Sequence, residues 1–254
     1  MLNVPYVRQF PKYPTGCEGA SATMLLKYYG FNVSLDEVIN EIPRADLYSE
    51  NGKVYGPSIY EKFVGDPTQK GSGERPGYGA FAPVITAAMN RLIAAHGGAT
   101  TYVAKNITGS SVAELLAHLD AGQPMVIWAT IDMFTPYTLN TWWVKTANGE
   151  YQFSYPHGTH VSVLKGHDSN YIYISDPGTP TRSKYTISQF ASKYELLGKQ
   201  AICIERYVPP TTEPATTTTT TETTGTTDTT DTTGGSTTQP ATSSTSTTQE
   251  STTK

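Results

Sequence analysis

Cys17 is the residue of this sequence best suited to covalent chemistry. It lies between Gly16 and Gly19, directly ahead of a long apolar segment that predicts a helix. A helix start lowers the pKa of a thiol because the dipole and free amide groups favour the thiolate, and the same amides can stabilise an oxyanion. Glycine neighbours let a substrate approach the backbone closely. Taken alone, this pattern fits a nucleophile and a small buried core residue equally well.

A cysteine nucleophile needs a base, and the base needs a group that orients it. His160 opens an apolar segment that predicts a strand, and a turn at residues 168–170 leads to a second strand that ends in Asp176-Pro177. Two neighbouring antiparallel strands could therefore place His160 beside Asp176. His157, in a Pro/Gly turn three residues earlier, is a weaker alternative for the base. The arrangement, more than any single residue, indicates nucleophilic catalysis.

Helix signals dominate the first half of the chain. They are an apolar segment over 20–29 that ends at Gly30, two capping boxes at Ser34/Glu37 and Ser111/Glu114, and Pro83 at a first helical position. Residues 43–82 are rich in Gly, Pro and Tyr, and they predict a long irregular excursion.

The second half predicts strands. Segments rich in β-branched and aromatic residues recur from Pro124 to Ser175, Asn148-Gly149 predicts a hairpin turn, and a short helix over 188–197 precedes a last strand. Helices first and antiparallel strands second indicate an α+β domain, with the Cys17 helix in its middle.

The composition changes sharply near Val208. Residues 209–254 contain no Val, Ile, Leu or Met, no aromatic residue and no cysteine, and about half of them are Thr. Such a segment cannot bury enough apolar surface to offset the chain entropy of folding. We therefore expect one catalytic domain over 1–208 and a disordered Thr-rich linker or stalk over 209–254.

The charge and hydropathy of the sequence limit the classes of binding partner that this protein could have. The net charge is −4, no basic stripe is present, and no apolar run reaches the roughly 18 residues that span a bilayer. These features argue against nucleic acid as a partner and against a transmembrane segment. The first residues lack a signal peptide, but Thr-rich stalks are typical of extracellular proteins. We expect a secreted or cell-surface protein with its signal peptide removed, and a further module or a surface anchor could follow the stalk.

Three separated motifs together resemble a known family. The segments "PTGCEGASATMLLKYYG", "THVSVLKGHD" and "ISDPG", in this order, are similar to those of the C39-like bacterial cysteine peptidases of the papain-like superfamily. The resemblance covers residues 3–206. It implies a papain-like fold, in which the catalytic central helix packs on a C-terminal antiparallel sheet or barrel. It also implies a peptide or protein substrate, no cofactor, a nucleophile at Cys17, a base at His160 and an orienting acid at Asp176.

The resemblance also implies an oxyanion hole. A Gln shortly before the cysteine helps to form it in the superfamily, and Gln9 matches that role, although eight residues separate it from Cys17. Glu18 departs from many relatives, which have Gly there. A carboxylate beside the sulfur could raise the pKa of the thiol, or it could point outward to the substrate.

Two alternatives to a peptidase stay open. A papain-like domain on a stalk could be a catalytically weak or inactive binding module, and the same triad could serve an amidase or a transglutaminase-type acyl transferase. Cys203 alternates with Ala201 on an apolar strand and is expected in the core. A zinc site would need regularly spaced ligand pairs, and the sequence has none.

Overall fold

The computed structural model describes residues 1–72, 76–136 and 139–208. The predicted Thr-rich linker, 209–254, lies outside the described residues. The helices are α1 (Cys17–Tyr28), α2 (Leu35–Glu41), α3 (Ala82–Ala95), α4 (Val112–Asp120) and α5 (Ile187–Leu196). A single 3₁₀ turn, Ile131–Met133, is assigned among the described residues.

The strands are β1 (Arg44–Ala45), β2 (Tyr48–Glu50), β3 (Lys53–Tyr55), β4 (Phe63–Val64), β5 (Tyr102–Asn106), β6 (Met125–Thr130), β7 (Leu139–Thr146), β8 (Gly149–Pro156), β9 (Thr159–His167), β10 (Tyr171–Ser175), β11 (Lys184–Thr186) and β12 (Ala201–Arg206).

The main sheet is antiparallel and has the strand order β11-β10-β9-β6-β12-β5. A second sheet has the order β2-β3-β7-β8, and β1 pairs with β4 in a short parallel ladder. Helices and mainly antiparallel sheets in one domain make this an α+β fold, as predicted.

Local sequence signals place most helix ends correctly. The capping boxes at Ser34/Glu37 and Ser111/Glu114 both form, so each serine accepts a hydrogen bond from the amide three residues on. Gly30 follows the end of α1 with a φ of 90°, a conformation in which glycine has no Cβ penalty. β7 and β8 form the predicted hairpin, but Thr146 pairs with Gly149, so the two turn residues are Ala147 and Asn148, one position before the predicted pair.

The excursion over 43–82 is more regular than the sequence predicts. It contains β1, β2, β3 and β4, each of only two or three residues. Tyr55 of β3 pairs in parallel with Trp143 of β7, far along the chain. Strands of two or three residues are too short to show an alternating pattern of apolar and polar residues. Their pairing partners are also distant in sequence, so no local signal predicts them. The sequence does not predict β5 either, and this strand pairs with the last strand of the chain, β12.

Helix α1 is buried on nearly every side. All of its residues from Cys17 to Leu26 are buried, which explains why its sequence lacks a polar face. The hydroxyl of Ser21 donates to the carbonyl of Val161 on β9 at 3.1 Å. This buried bond fixes the helix against the strand that begins beside His160.

No helix in the described part of the chain is both long enough and apolar enough to cross a membrane.

Candidate active site

A cleft of about 260 Å³ opens where α1 begins and β9 starts. Gln9, Cys17 and His160 all line it. Tyr155 and Arg182 also border the cleft. Three of the four side chains selected from the sequence therefore share one cavity, although they come from distant parts of the chain.

The fourth, Asp176, lies directly behind His160. The imidazole Nε2 is 2.7 Å from Asp176 Oδ1, and both residues are buried. The pairing of Ser175 with Val163 puts Asp176 just past the end of β10, one diagonal step from His160. With Nε2 engaged by the carboxylate, Nδ1 is the ring nitrogen left for a partner in the cleft.

Hydrogen bonds hold the Asp176 carboxylate in place. Its Oδ1 also accepts the amide of Gly178 at 2.7 Å, and Arg182 Nη1 lies 3.9 Å from Oδ2. Burial tends to raise the pKa of this carboxyl, but the hydrogen bond and charge of His160, the Gly178 amide and Arg182 together lower it. Asp176 is therefore held ionised.

Arg182 was not selected from the sequence. Its Nε contacts Asp132 Oδ1 at 2.7 Å, so the guanidinium bridges two carboxylates at the edge of the cleft. A lone arginine in the loop after β10 carries no local signal of this role. Only the folding of that loop over the start of β9 brings it to the site.

Cys17 borders the cleft, although only 7% of the residue is exposed. Burial and the neighbouring Glu18 raise its pKa well above the usual value, and Asp176 adds to the rise. The backbone amide of Val161, next to His160 in sequence, acts in the opposite sense. The lowering expected from the helix start is thus outweighed, because the thiol is desolvated and faces a carboxyl group.

Glu18 points inward, toward the sulfur. Cys17 Sγ lies 3.3 Å from Glu18 Oε2, and Glu18 Oε1 accepts the amide of Ala80 at 2.9 Å. The side chain is buried, and this burial raises the pKa of Glu18 to about 7. Of the two orientations that the sequence left open, the structure has the one beside the thiol.

The first turn of α1 has no side-chain cap. Gly16 is the N-cap residue and supplies no side chain, whereas α2, α4 and α5 all begin with capping boxes. The first amides of a helix have no partner within the helix. At α1 these donors lie beside the Cys17 sulfur.

Gln9 is held by the loop that precedes α1. Its Nε2 donates to the carbonyl of Pro14 at 2.8 Å and to that of Tyr13 at 3.3 Å, and its backbone amide donates to the carbonyl of Pro177 at 3.0 Å. Its Oε1 is buried without a hydrogen-bond partner. The last of these bonds ties Gln9 to the segment that carries Asp176.

Two other histidines and the second cysteine occupy different places in the fold. His157 also borders the cleft. His167, at the far end of β9, contacts Asp120 Oδ1 through its Nε2 at 2.9 Å. Cys203 is fully buried in the apolar cluster beside α4 and α5, as expected for a core residue.

Metal-binding groups do not cluster in the described residues. Over 1–72, 76–136 and 139–208, no three His, Cys, Asp or Glu side chains come together in a way that could hold an ion.

Comparisons of sequence and of structure with known proteins point to the same family. Residues 1–202 match the sequence model of the Peptidase_C39 like family. The uncharacterized protein YvpB of Bacillus subtilis (strain 168) is 27% identical over 197 residues, which are 77% of this chain and 71% of YvpB. The crystal structure of a Bacillus anthracis protein described as a C39-like peptidase superposes with a TM-score of 0.66 at 28% identity, over 81% of this chain and 96% of that one.

Proposed function

Because this chain belongs to the Peptidase_C39 like family, we propose that it is a cysteine peptidase in which Cys17, His160 and Asp176 act as a triad. The observation that carries the proposal is the His160 Nε2 to Asp176 Oδ1 bond of 2.7 Å, directly behind a cleft that Cys17 lines. A buried carboxylate that fixes the ring of a cleft histidine is the arrangement a general base requires.

In the first step, Cys17 Sγ attacks the carbonyl carbon of the scissile bond. The thiol proton passes to Nδ1 of His160, because Nε2 is engaged by Asp176. The resulting imidazolium is stabilised by the Asp176 carboxylate. It then gives its proton to the leaving amine, and a thioester between Cys17 and the acyl part of the substrate remains.

In the second step, water hydrolyses the thioester. His160 takes a proton from the water as the oxygen attacks the acyl carbon, and the Cys17 sulfur leaves. The products are a carboxylic acid and the free enzyme, with the proton returned to the Cys17–His160 pair. Both steps use the same imidazole nitrogen, so one orientation of His160 serves the whole cycle.

The oxyanion of each tetrahedral intermediate needs donors near the sulfur. The uncapped first turn of α1 supplies the Cys17 amide. Gln9 is the second donor in this proposal. Both Nε2 protons are engaged, one with Pro14 at 2.8 Å and one with Tyr13 at 3.3 Å. Rotation of the whole side-chain amide would exchange the longer bond, to Tyr13, for a bond to the oxyanion.

The walls of the cleft suit a peptide. Phe10, Tyr78 and Tyr155 offer apolar and aromatic surface, while Asn140 and Arg182 offer polar contacts. Such a mixture fits a substrate that has both side chains and a polar backbone.

The raised thiol pKa supports one competing function. A cysteine that stays protonated is a poor nucleophile, so the same domain could bind peptides without cleaving them. An amidase or acyl transferase would use the triad as described but with another acyl donor or acceptor.

The deciding experiment incubates the full chain with a peptide mixture and follows the products by mass spectrometry. We expect cleavage by the natural protein and a loss of at least about 100-fold in Cys17→Ala and His160→Ala. His167→Ala is the matched control, because it removes a histidine from the other end of β9 and should leave the rate unchanged. Binding of peptides without cleavage would support the binding module, and cleavage that persists in Cys17→Ala would overturn the triad.

A further inference from the structure

The Glu18 carboxyl group is held in one orientation by the backbone around it. Its Oε1 is held by the Ala80 amide at 2.9 Å, and a Cβ on Gly79 would lie 2.3 Å from this oxygen and 3.0 Å from the Tyr155 hydroxyl. Gly79 has a φ of 152°, in the region that favours glycine. With Oε1 fixed in this way, Oε2 is directed at Cys17 Sγ, 3.3 Å away.

In the described part of the chain, titratable groups from three elements face Glu18. Cys17 lies beside it on α1, His160 acts on it from β9, and Tyr155 approaches it from β8. The Tyr155 hydroxyl donates to the Tyr78 carbonyl, so it is not committed to the carboxyl group. His160 is the only cationic group among these when it is protonated, and it favours the ionised form of Glu18.

We propose that Glu18 shares a proton with Cys17 and thereby restricts the reactive thiolate to acidic and neutral pH. This role rests on the proposal that Cys17 is the nucleophile. It makes Glu18 a positioning residue that acts through Cys17. Glu18 does not attack the substrate. Its protonation state determines the pH range in which Cys17 can form a thiolate.

The proton positions follow from the geometry. When Glu18 is ionised, the thiol S–H donates to Oε2, and a thiolate would place two negative charges 3.3 Å apart. When Glu18 takes a proton from solvent, Oε2–H donates to the sulfur instead. The thiol proton can then pass to His160, which leaves a thiolate that the carboxylic acid and the imidazolium both stabilise.

The pH range follows from the carboxyl group. Burial raises the pKa of Glu18 to about 7, so its protonated fraction falls about tenfold between pH 6 and pH 8. The fraction of Cys17 present as a thiolate paired with protonated His160 should fall over the same pH range. An ordinary cysteine behaves in the opposite way and becomes more reactive over this range.

The test is the alkylation rate of Cys17 by iodoacetamide from pH 5.5 to 8.5, measured by peptide mapping of the native full chain. In the natural protein we expect the rate to fall about tenfold between pH 6 and pH 8. Glu18→Gln keeps an oxygen for the Ala80 amide but cannot ionise, and its rate should not fall. Glu18→Ala provides a second uncharged variant, and thermal melts establish that each variant is folded.

Cys203 offers a matched control within the same chain. Its sulfur lies 3.7 Å from Glu205 Oε1, a second cysteine–glutamate contact away from the cleft. Glu205→Gln should leave the Cys17 profile unchanged. A Cys17 rate that rises steadily with pH in the natural protein and in Glu18→Gln alike would overturn the proposal. The measurement needs no peptide substrate, so a protein that cleaves nothing but shows the predicted profile would disprove only the peptidase function.

Discussion

His160 and Asp176 meet across two adjacent strands, with 2.7 Å between Nε2 and Oδ1. The same Oδ1 accepts the amide of Gly178, also at 2.7 Å. One carboxylate oxygen thus has two donors, and one of them is backbone that a side-chain substitution leaves in place. This second bond determines what a change at Asp176 should do.

Asp176→Asn should retain much more activity than Asp176→Ala. The Gly178 amide keeps an acceptor oxygen on the side of His160, so the asparagine carbonyl can still orient the imidazole through Nε2–H. Alanine removes that acceptor and leaves the buried ring unoriented. We expect kcat/KM to fall by about 100-fold or more in Asp176→Ala and by clearly less in Asp176→Asn. Equal losses in the two variants would mean that the charge of Asp176, rather than its hydrogen bond, is required.

The buried Glu18 should make the fold less stable at neutral and alkaline pH than at acidic pH. Its pKa is raised from 4.5 to about 7, so the folded state binds a proton more tightly than the unfolded state. The free energy of unfolding should therefore fall as the pH rises from about 4.5 to 7 and stay low above that, by an amount on the order of 3 kcal/mol.

Urea denaturation of the natural protein and Glu18→Gln at pH 5 and pH 8 measures this effect. The variant should gain stability relative to the natural protein between the two pH values, because it has no carboxyl group to ionise. A difference between the two proteins that does not change with pH would show that Glu18 has the same pKa in the folded and unfolded states.

Removal of residues 209–254 should leave the stability of the domain unchanged. This segment has no large apolar side chain to contribute to a core. The melting temperatures of the full chain and of a chain that ends at Val208 should agree within error. A clear decrease in the shorter chain would mean that the Thr-rich segment docks on the domain.

The sequence by itself determined the helix caps and the hairpin, which depend on residues close to one another in the chain. The capping boxes at Ser34 and Ser111 and the β7–β8 hairpin all form, because each is made by hydrogen bonds between residues only a few positions apart. The α+β class and the first helix follow from the same kind of local signal, although that helix begins at Cys17 rather than at the predicted residue 20. The roles of Gln9, Cys17, His160 and Asp176 remain predictions, for which the shared cleft and the His160–Asp176 bond are support.

Only the tertiary structure decided how distant residues meet at the site. Glu18 could have faced solvent, but it turns inward because the Ala80 amide, 62 positions away, holds its carboxyl group and Gly79 leaves room for it. Arg182 reaches both Asp132 and Asp176 only because the loop after β10 folds over the start of β9. Such contacts have no local pattern, since the free energy that forms them comes from packing elsewhere in the domain.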